Sequence, residues 1–394
     1  MSSQIGLCSL NKGKDRYALS VTMEIDKSGK VIDSDVYKSI INVTERMSYT
    51  DVQKIIDGSD KVILKKYEKY INHFKLMEEL AIILKERRVA NGYLNLDIPE
   101  SKIVLDNITG KVLDVKKYET TFANEIIEQF MLVTNETIAE RFYWLEVPFI
   151  YRVHEEPDID KVKELNKFLF NLGYKIHITQ DRVYPSSISK VLEEVKGKPE
   201  EKVVSNLVLR TLKVAKYDVE NTGHFGIAGK YYCHFTSPIR RYPDLFIHRV
   251  ISEYFASTEK QKIRFAEKAP KYAKVSSERE KVAQKVEREA EKMKKAEYME
   301  DKIGFEYDGI VSSVTNFGIF VELENTIEGL IRFQDLGDEY FIFDDSNKRL
   351  IGERSNKVFK IGDKVKIKVI GADKEKREVD FKLVCNGDGR LPEN

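Results

Sequence analysis

The sequence predicts an α+β protein in three parts: mixed helices and strands over residues 1–256, a helical connector over 257–302 and a small all-β barrel over 303–386, with a tail at 387–394. Three observations carry this reading. Before residue 256, long stretches with apolar residues at helical spacing interleave with short alternating stretches. From about Ser257 the chain turns dense in Lys and Glu. After Gly304 it shows short alternating strands separated by glycine turns, the pattern of a barrel of the oligonucleotide-binding type.

The elements follow in order. "RYALSVTMEID" alternates, "SGK" turns, and "VIDSDVY" returns, giving a hairpin over 16–35. Ser48 or Thr50 caps a helix through "DVQKIID". A longer helix is expected from Lys61 to Arg88, with Leu76, Leu80, Ile83 and Leu84 on one face. "YLNLDIPESKIVLDNITGKVLDVKKYE" reads as strands around a turn at "NITGK". "TTFANEIIEQFMLVTNETIAERF" is amphipathic, with Ile127, Met131, Thr134 and Ile138 in one stripe. "PFIYRVH" reads as a buried strand. "PDIDKVKELNKFLFNLGY" reads as a helix capped by Asp158 and stopped by Gly173, "SNLVLRTLKVAKYDVE" as another helix, and "GIAGKYYCHFT" as a strand. In the connector, Ser277 and Glu280 have capping-box spacing, and Glu291 and Lys295 the favourable i,i+4 spacing.

Composition bounds the function. The 394 residues leave room for two or three domains, and 42% hydrophobic with 33% charged residues fit a soluble globular protein. No apolar run of about 18 residues is present, and "MSSQIGLCSL" lacks a secretory pattern, so no membrane partner is expected. Cys8, Cys233 and Cys385 are odd in number and widely spaced, which argues against a disulfide framework or structural zinc and suits a cytoplasmic location. A net charge of +1 leaves a nucleic-acid partner open, because a basic site can be local.

"HFTSPIRRYPDLFIHR", His234 to Arg249, is the most informative segment. Prolines 238 and 243 bias the residues before them toward extended backbone, so Arg240 and Arg241 are expected to point to opposite sides. Pro243 suits the first turn of a helix burying Phe246, Ile247, Val250, Ile251 and Tyr254. A stiff loop feeding a helix start suits phosphate, and an arginine fork there would brace a phosphodiester. On physical grounds alone, two arginines paired with acids on a solvated loop fit equally well. His234 and His248 read as structural.

This segment closely resembles the signature of the RNase II/RNase R family, the RNB-domain exoribonucleases. "GLCSLNKGKDRYALSVTMEID", "ERMSYTDV", "ANEIIEQFM", "YRVHEEPD" and "GHFGIA" resemble further family landmarks in family order, and "GIVSSVTNFGIFVEL…EGLIRFQDL" is similar to an S1-type RNA-binding domain. The resemblance implies processive 3′-to-5′ hydrolysis of single-stranded RNA to nucleoside 5′-monophosphates. It implies that Arg240 contacts the scissile phosphate and that Glu287, in "VEREAEKM", approaches the 3′ end. It places Tyr49 and Glu128 at the ribose, where reading a 2′-hydroxyl separates RNA from DNA, and Arg241 beside the RNA. Leu96 stands where many relatives carry a base-stacking phenylalanine. In the barrel, Phe317, Phe320 and Phe333 with Arg332 form the expected stacking face, although alternation leaves one of Phe317 and Phe320 for the barrel core. Lys364, Lys366 and Lys368 alternate onto one face, either along RNA or simply toward solvent.

The family uses Mg²⁺, held by an aspartate cluster that lies upstream of the "CSLN" landmark, and those ligands are not expected in this chain. "EEPDID" (Glu155 to Asp160) reads as helix caps and "FDD" (Phe343 to Asp345) as a turn. The chain is therefore expected to represent an incomplete RNB catalytic domain plus an S1-type domain. It is expected to be inactive alone and to have an open sheet edge, which leads to poor solubility or to pairing with a missing N-terminal segment. The alternatives are a non-catalytic RNA-binding fragment or the C-terminal subunit of a split enzyme.

Overall fold

The computed structural model describes residues 6, 8–96, 100–198, 200–337, 339–344 and 348–384. Cys385, the 387–394 tail and Asp345 of "FDD" lie outside the described residues.

The chain opens with an antiparallel hairpin, β1 (Asp15–Ile25) and β2 (Val31–Asn42). Asp26 closes its turn by accepting from Ser28 and Lys30. Next comes α1 (Tyr49–Asp57), capped by Ser48, whose hydroxyl accepts from the Asp51 N–H. The helix expected over 61–88 is broken. α2 (Lys61–Lys66) runs into a 3₁₀ turn at Glu68–Tyr70, and α3 (Ile71–Ala90) follows. Leu84 is buried with Ala81, whereas Leu76 is exposed, so the four leucine and isoleucine positions do not form one buried face. β3 (Ser101–Leu105) and β4 (Val112–Lys117) pair around the "NITGK" turn, which Asp106 holds through Ile108 and Thr109.

α4 (Phe122–Trp144) is buried on most of its circumference through Ala123, Ile126, Leu132, Val133, Ile138 and Phe142. Met131 of the expected stripe is exposed, because the helix is packed from several sides. β5 (Tyr151–Val153) leads to α5 (Ile159–Asn171), capped by Asp158 and followed by Gly173 at φ 83°. A two-stranded ribbon, β6 (Ile178–Thr179) with β7 (Arg182–Val183), precedes α6 (Pro185–Val195) and α7 (Glu201–Thr211). The helix expected through "KYDVE" stops at Thr211, and β8 (Lys216–Asp218) pairs with β5 instead. "GIAGKYYCHFT" runs without a regular strand, held by single bridges such as His224 to Gly229. α8 (Tyr242–Glu253) carries Pro243 in its first turn and buries Phe246, Ile247 and Val250.

α9 (Glu259–Glu300) is the connector, about 63 Å long at 1.5 Å per residue. Its capping box is Thr258 with Gln261, not Ser277 with Glu280. Ser277 lies mid-helix, and its hydroxyl accepts from the Tyr217 N–H at 2.8 Å. Glu291 and Lys295 pair at 3.3 Å as their spacing predicts.

Five strands close the barrel in the order β10–β11–β16–β15–β9: β9 (Glu306–Thr315), β10 (Gly318–Leu323), β11 (Glu328–Arg332), β15 (Lys364–Asp373) and β16 (Glu378–Leu383). Between β11 and β15 lie α10 (Phe333–Leu336) and a three-stranded sheet of β12 (Phe341–Asp344), β13 (Arg349–Gly352) and β14 (Val358–Lys360). Among the described residues, the strands before the barrel form four separate antiparallel pairs.

The apolar interior has three centres. One joins α4, β5, β8 and α8 to Ala269 and Ala273 of α9. Another joins α5, α6 and α7. The third fills the barrel and takes in Val112 and Val115 of the β3–β4 hairpin with Ala296 and Met299 of α9. The connector is thus anchored in a core at each end and solvated between, as its charge density requires.

Candidate functional site

The arginine segment is held from below by α4. Asn135 accepts from the Phe235 N–H at 3.0 Å and donates to the Tyr232 hydroxyl at 3.2 Å. Cys233, fully buried, donates its thiol to the Asn135 carbonyl, and burial pushes that thiol well up. His248 bonds the Phe235 carbonyl at 2.9 Å and stacks on its ring, and His234 Nδ1 bonds the Tyr217 hydroxyl at 2.9 Å. Both histidines have structural partners. Burial and the Arg241 charge push His234 down to about 2, so it stays neutral at any working pH.

The loop above them is a turn rather than extended: Arg240 and Arg241 N–H groups both donate to the Ser237 carbonyl. The two arginines nevertheless diverge. Arg241 donates through Nε at 2.9 Å and Nη2 at 2.7 Å to Asp244, which is fully buried and also accepts from the Ser237 N–H at 2.8 Å. Arg241 therefore braces the loop through Asp244. Arg240 is exposed at the tip, and its side chain has no hydrogen-bond or ion-pair partner among the described residues. Beneath the loop, Arg152 pairs with Glu280 of α9 at 2.5 Å and lies over the Tyr217 ring, which ties the connector to this region.

The other expected ribose and phosphate residues lie on separate elements. Glu128, on α4, accepts from the Tyr93 hydroxyl at 3.3 Å. Burial and that carboxylate raise the tyrosine well above its ordinary range. Beside them Arg88 is buried against both oxygens of Glu136, at 2.5 and 2.9 Å, and against Gln129. Leu96 packs on the core of α5 to α7, so it offers no stacking surface. Tyr49, half exposed at the start of α1, lines a cavity of about 1720 Å³ between α1, α4, the β3–β4 hairpin and the barrel. Glu128, Arg240 and Glu287 are not in the lining of that cavity. Glu287 is exposed on α9.

On the barrel, alternation along β10 turns Ile319 and Val321 inward. Neither Phe317 nor Phe320 therefore fills the core: Phe317 is exposed, Phe320 half-buried, and their rings meet edge to face at 6.1 Å. Phe333 is the ring packed against the barrel core, near Phe341. Arg332 is exposed and pairs with Asp380 at 3.3 Å. Lys364, Lys366 and Lys368 project outward between buried Val365, Ile367 and Val369, with Lys366 paired to Glu306 at 3.1 Å.

Magnesium needs several hard oxygen ligands. Among the described residues no three His, Cys, Asp or Glu side chains converge into a set able to hold a metal ion. Asp158 is committed to capping α5 and Asp160 lies 3.9 Å from Lys163. The described residues therefore do not by themselves fit the ion.

The RNB domain model matches residues 3–257, with the arginine segment inside that span. The chain belongs to the RNB-domain family. An S1 RNA-binding domain model matches residues 300–383, the barrel. Ribonuclease R 1 of Lactococcus lactis is 43% identical over 381 residues, which cover 96% of this chain and 46% of that protein. Ribonuclease R of Thermotoga maritima is 41% identical over 385 residues, 96% of this chain and 54% of that protein. The chain thus spans about half the length of these curated relatives. RNase R of Mycoplasma genitalium, solved in its apo form and with ribose-methylated single-stranded RNA, superposes with a TM-score of 0.90 at 30% identity, over 97% of this chain and 60% of that one.

Two features of the RNB domain are absent from a motif reading. Asp244 sits in "RYPDL" and looks like an ordinary first-turn acid; only burial marks it as the loop's anchor. Arg88 and Glu136 lie 48 residues apart and carry no local signal.

Proposed function

We propose that the chain is part of an RNase R-type enzyme that hydrolyses single-stranded RNA from the 3′ end, releasing nucleoside 5′-monophosphates. The observation that carries this is Arg240. It stands exposed and unpartnered on a turn whose other arginine is locked to a buried carboxylate. That arrangement holds one guanidinium fork where a phosphodiester can meet it bidentately. Arg240 braces the scissile phosphate and offsets charge that develops as the bond breaks. Tyr49 and Glu128 contact the ribose, and Glu287 approaches the 3′ end. The barrel, with Phe317 and Phe320 outward and Arg332 on its surface, holds the upstream strand by stacking and charge.

A divalent ion supplies activated water and charge stabilisation in such chemistry. Because this chain's described side chains do not form its site, we propose that the ligands come from a segment outside this chain and that the chain alone does not cleave. Incubation with 3′-tailed single-stranded RNA and Mg²⁺, with and without the preceding segment of an RNase R relative, tests this. Mononucleotides released only with the added segment support the proposal. Release by the chain alone refutes the placement of the metal ligands, and binding without cleavage in both arms favours a non-catalytic RNA-binding module. In the reconstituted enzyme, Arg240→Ala should cost about 3 kcal/mol in turnover, roughly 100-fold, while most RNA affinity remains. Equal losses in both would make Arg240 a positioning residue.

A further inference from the structure

The cavity beside Tyr49 has two unlike walls. On the side of the β3–β4 hairpin stand exposed Lys102, Lys116 and Lys117 with one exposed acid, Glu119, and exposed Arg46 lines the same cavity from the loop before α1. Lys102 faces Lys116 directly across the strand pair. Like charges opposed across a ladder destabilise a hairpin, and local relief is slight: Asp114 pairs with Lys116 at 3.2 Å. Glu45, the acid next to Arg46, is tied to Lys12 at 2.5 Å. The barrel side is acidic, with Glu306, Asp308 and Glu324.

The spacing of the walls is fixed. Ser101 and Thr326 share a hydrogen bond of 2.6 Å between hairpin and barrel, and Glu297 of α9 accepts from the Val112 N–H at 3.2 Å. Exposed Tyr118 follows directly on the hairpin's last strand and lines the same space, as does Tyr49. A slot with mostly cations on one side, acids on the other and aromatic rings at the cationic edge suits a flexible polyanion that carries flat apolar groups. Its phosphates lie along the lysines, the acidic wall holds them off the barrel, and the rings accept bases.

Resting on the functional reading above, we propose that the hairpin wall formed by the cross-strand pair Lys102 and Lys116 is a phosphate-tracking site for single-stranded RNA, with Tyr118 as its stacking platform.

Fluorescence anisotropy of a labelled oligouridylate with the full chain, over a range of salt, tests this. Each phosphate contact contributes about 0.7 to the slope of log affinity against log salt for a single strand. Lys102→Gln with Lys116→Gln should therefore lower the slope by about 1.4 and weaken binding on the order of 25-fold at about 0.1 M salt. The same variant should melt no earlier than the wild type, because it relieves a like-charge pair. Tyr118→Ala should weaken oligouridylate binding further, and polyglutamate should not compete.

Four results decide otherwise. Binding that survives these changes but is lost in Phe317→Ala/Phe320→Ala leaves the barrel's role standing and removes the wall. No binding by the wild type removes both. Competition by polyglutamate at equal charge makes the wall a general polyanion surface and overturns the RNA assignment. An earlier melt in the lysine variant assigns the pair a structural role instead.

Discussion

Asp244→Asn is the sharpest test of the arginine loop. Asp244 has no solvent exposure and accepts three hydrogen bonds, two of them from Arg241, whose side chain is 19% exposed. An amide in its place keeps one acceptor oxygen and turns an NH₂ group toward a donor. The guanidinium is then left desolvated and unpaired. Removing one partner of a buried pair costs about 3–5 kcal/mol, and partial exposure of Arg241 places this case near 3. For a domain of this size about 1 kcal/mol corresponds to roughly 2–4 °C, so the melting temperature should fall by about 6–12 °C. Near-ultraviolet circular dichroism during heating measures it. Replacing both partners, Arg241→Met with Asp244→Leu, should restore most of the loss, because no charge is then stranded. A single variant that melts with the wild type, or a double variant as unstable as the single, would refute the reasoning. It would mean that the loop draws its shape from elsewhere and that Arg240 is not presented by this lock.

Three further outcomes follow from the same structure. Burial pushes His224 down to about 3 and His234 to about 2. The unfolded chain then binds more protons below about pH 6.5, so stability holds above that value and is lost as pH falls, by about 2 kcal/mol per histidine at about pH 5. A urea midpoint unchanged between about pH 7.5 and about pH 5 would sink this. A Cβ at Gly329 would meet the buried Phe381 ring at 2.5–2.7 Å. Gly329→Ala should cost about 1–3 kcal/mol and lower hydrogen-exchange protection across β10 and β11, whereas unchanged protection would mean that the ring yields freely. Phe317→Ala should weaken single-stranded RNA binding by about 1–3 kcal/mol without moving the melting temperature, and a parallel fall in both would make it a packing residue.

Much of the barrel was legible because a strand buried on one side must alternate, and "KVKIKV" does so with its lysines out and Val365, Ile367 and Val369 in. The arginine segment was legible because prolines, arginines and an apolar helix face fall together within sixteen residues. What stayed hidden depends on contacts between distant residues. Ser277 has the local form of a helix cap, but Tyr217, 60 residues earlier, takes its hydroxyl while the helix continues. Arg241 is chemically as apt for phosphate as Arg240, and only the depth of Asp244 assigns them different tasks. Leu96 occupies a suggestive place in the chain, yet packing against the α5–α7 core decides its side chain.

The connector is where sequence and structure must be weighed together. Its glutamates are numerous, and residue type alone does not single one out. Partners do. Glu280 is held by Arg152, Glu289 by Arg377 and Glu291 by Lys295, while Glu267, Glu278 and Glu287 have no partner among the described residues, and of these Glu287 lies nearest the barrel end. Seven residues separate Glu287 from Glu280, close to two helical turns, so both lie on nearly the same face of α9 about 10 Å apart along its axis. Glu280 marks that face as the one turned to Arg152, and the Arg152 charge bears on His234 directly beneath the arginine loop. The same face therefore carries an unpaired carboxylate away from the loop and toward the barrel. If, as proposed, Arg240 braces a phosphodiester, a carboxylate displaced along that face toward the barrel would act on another part of the strand rather than on that bond.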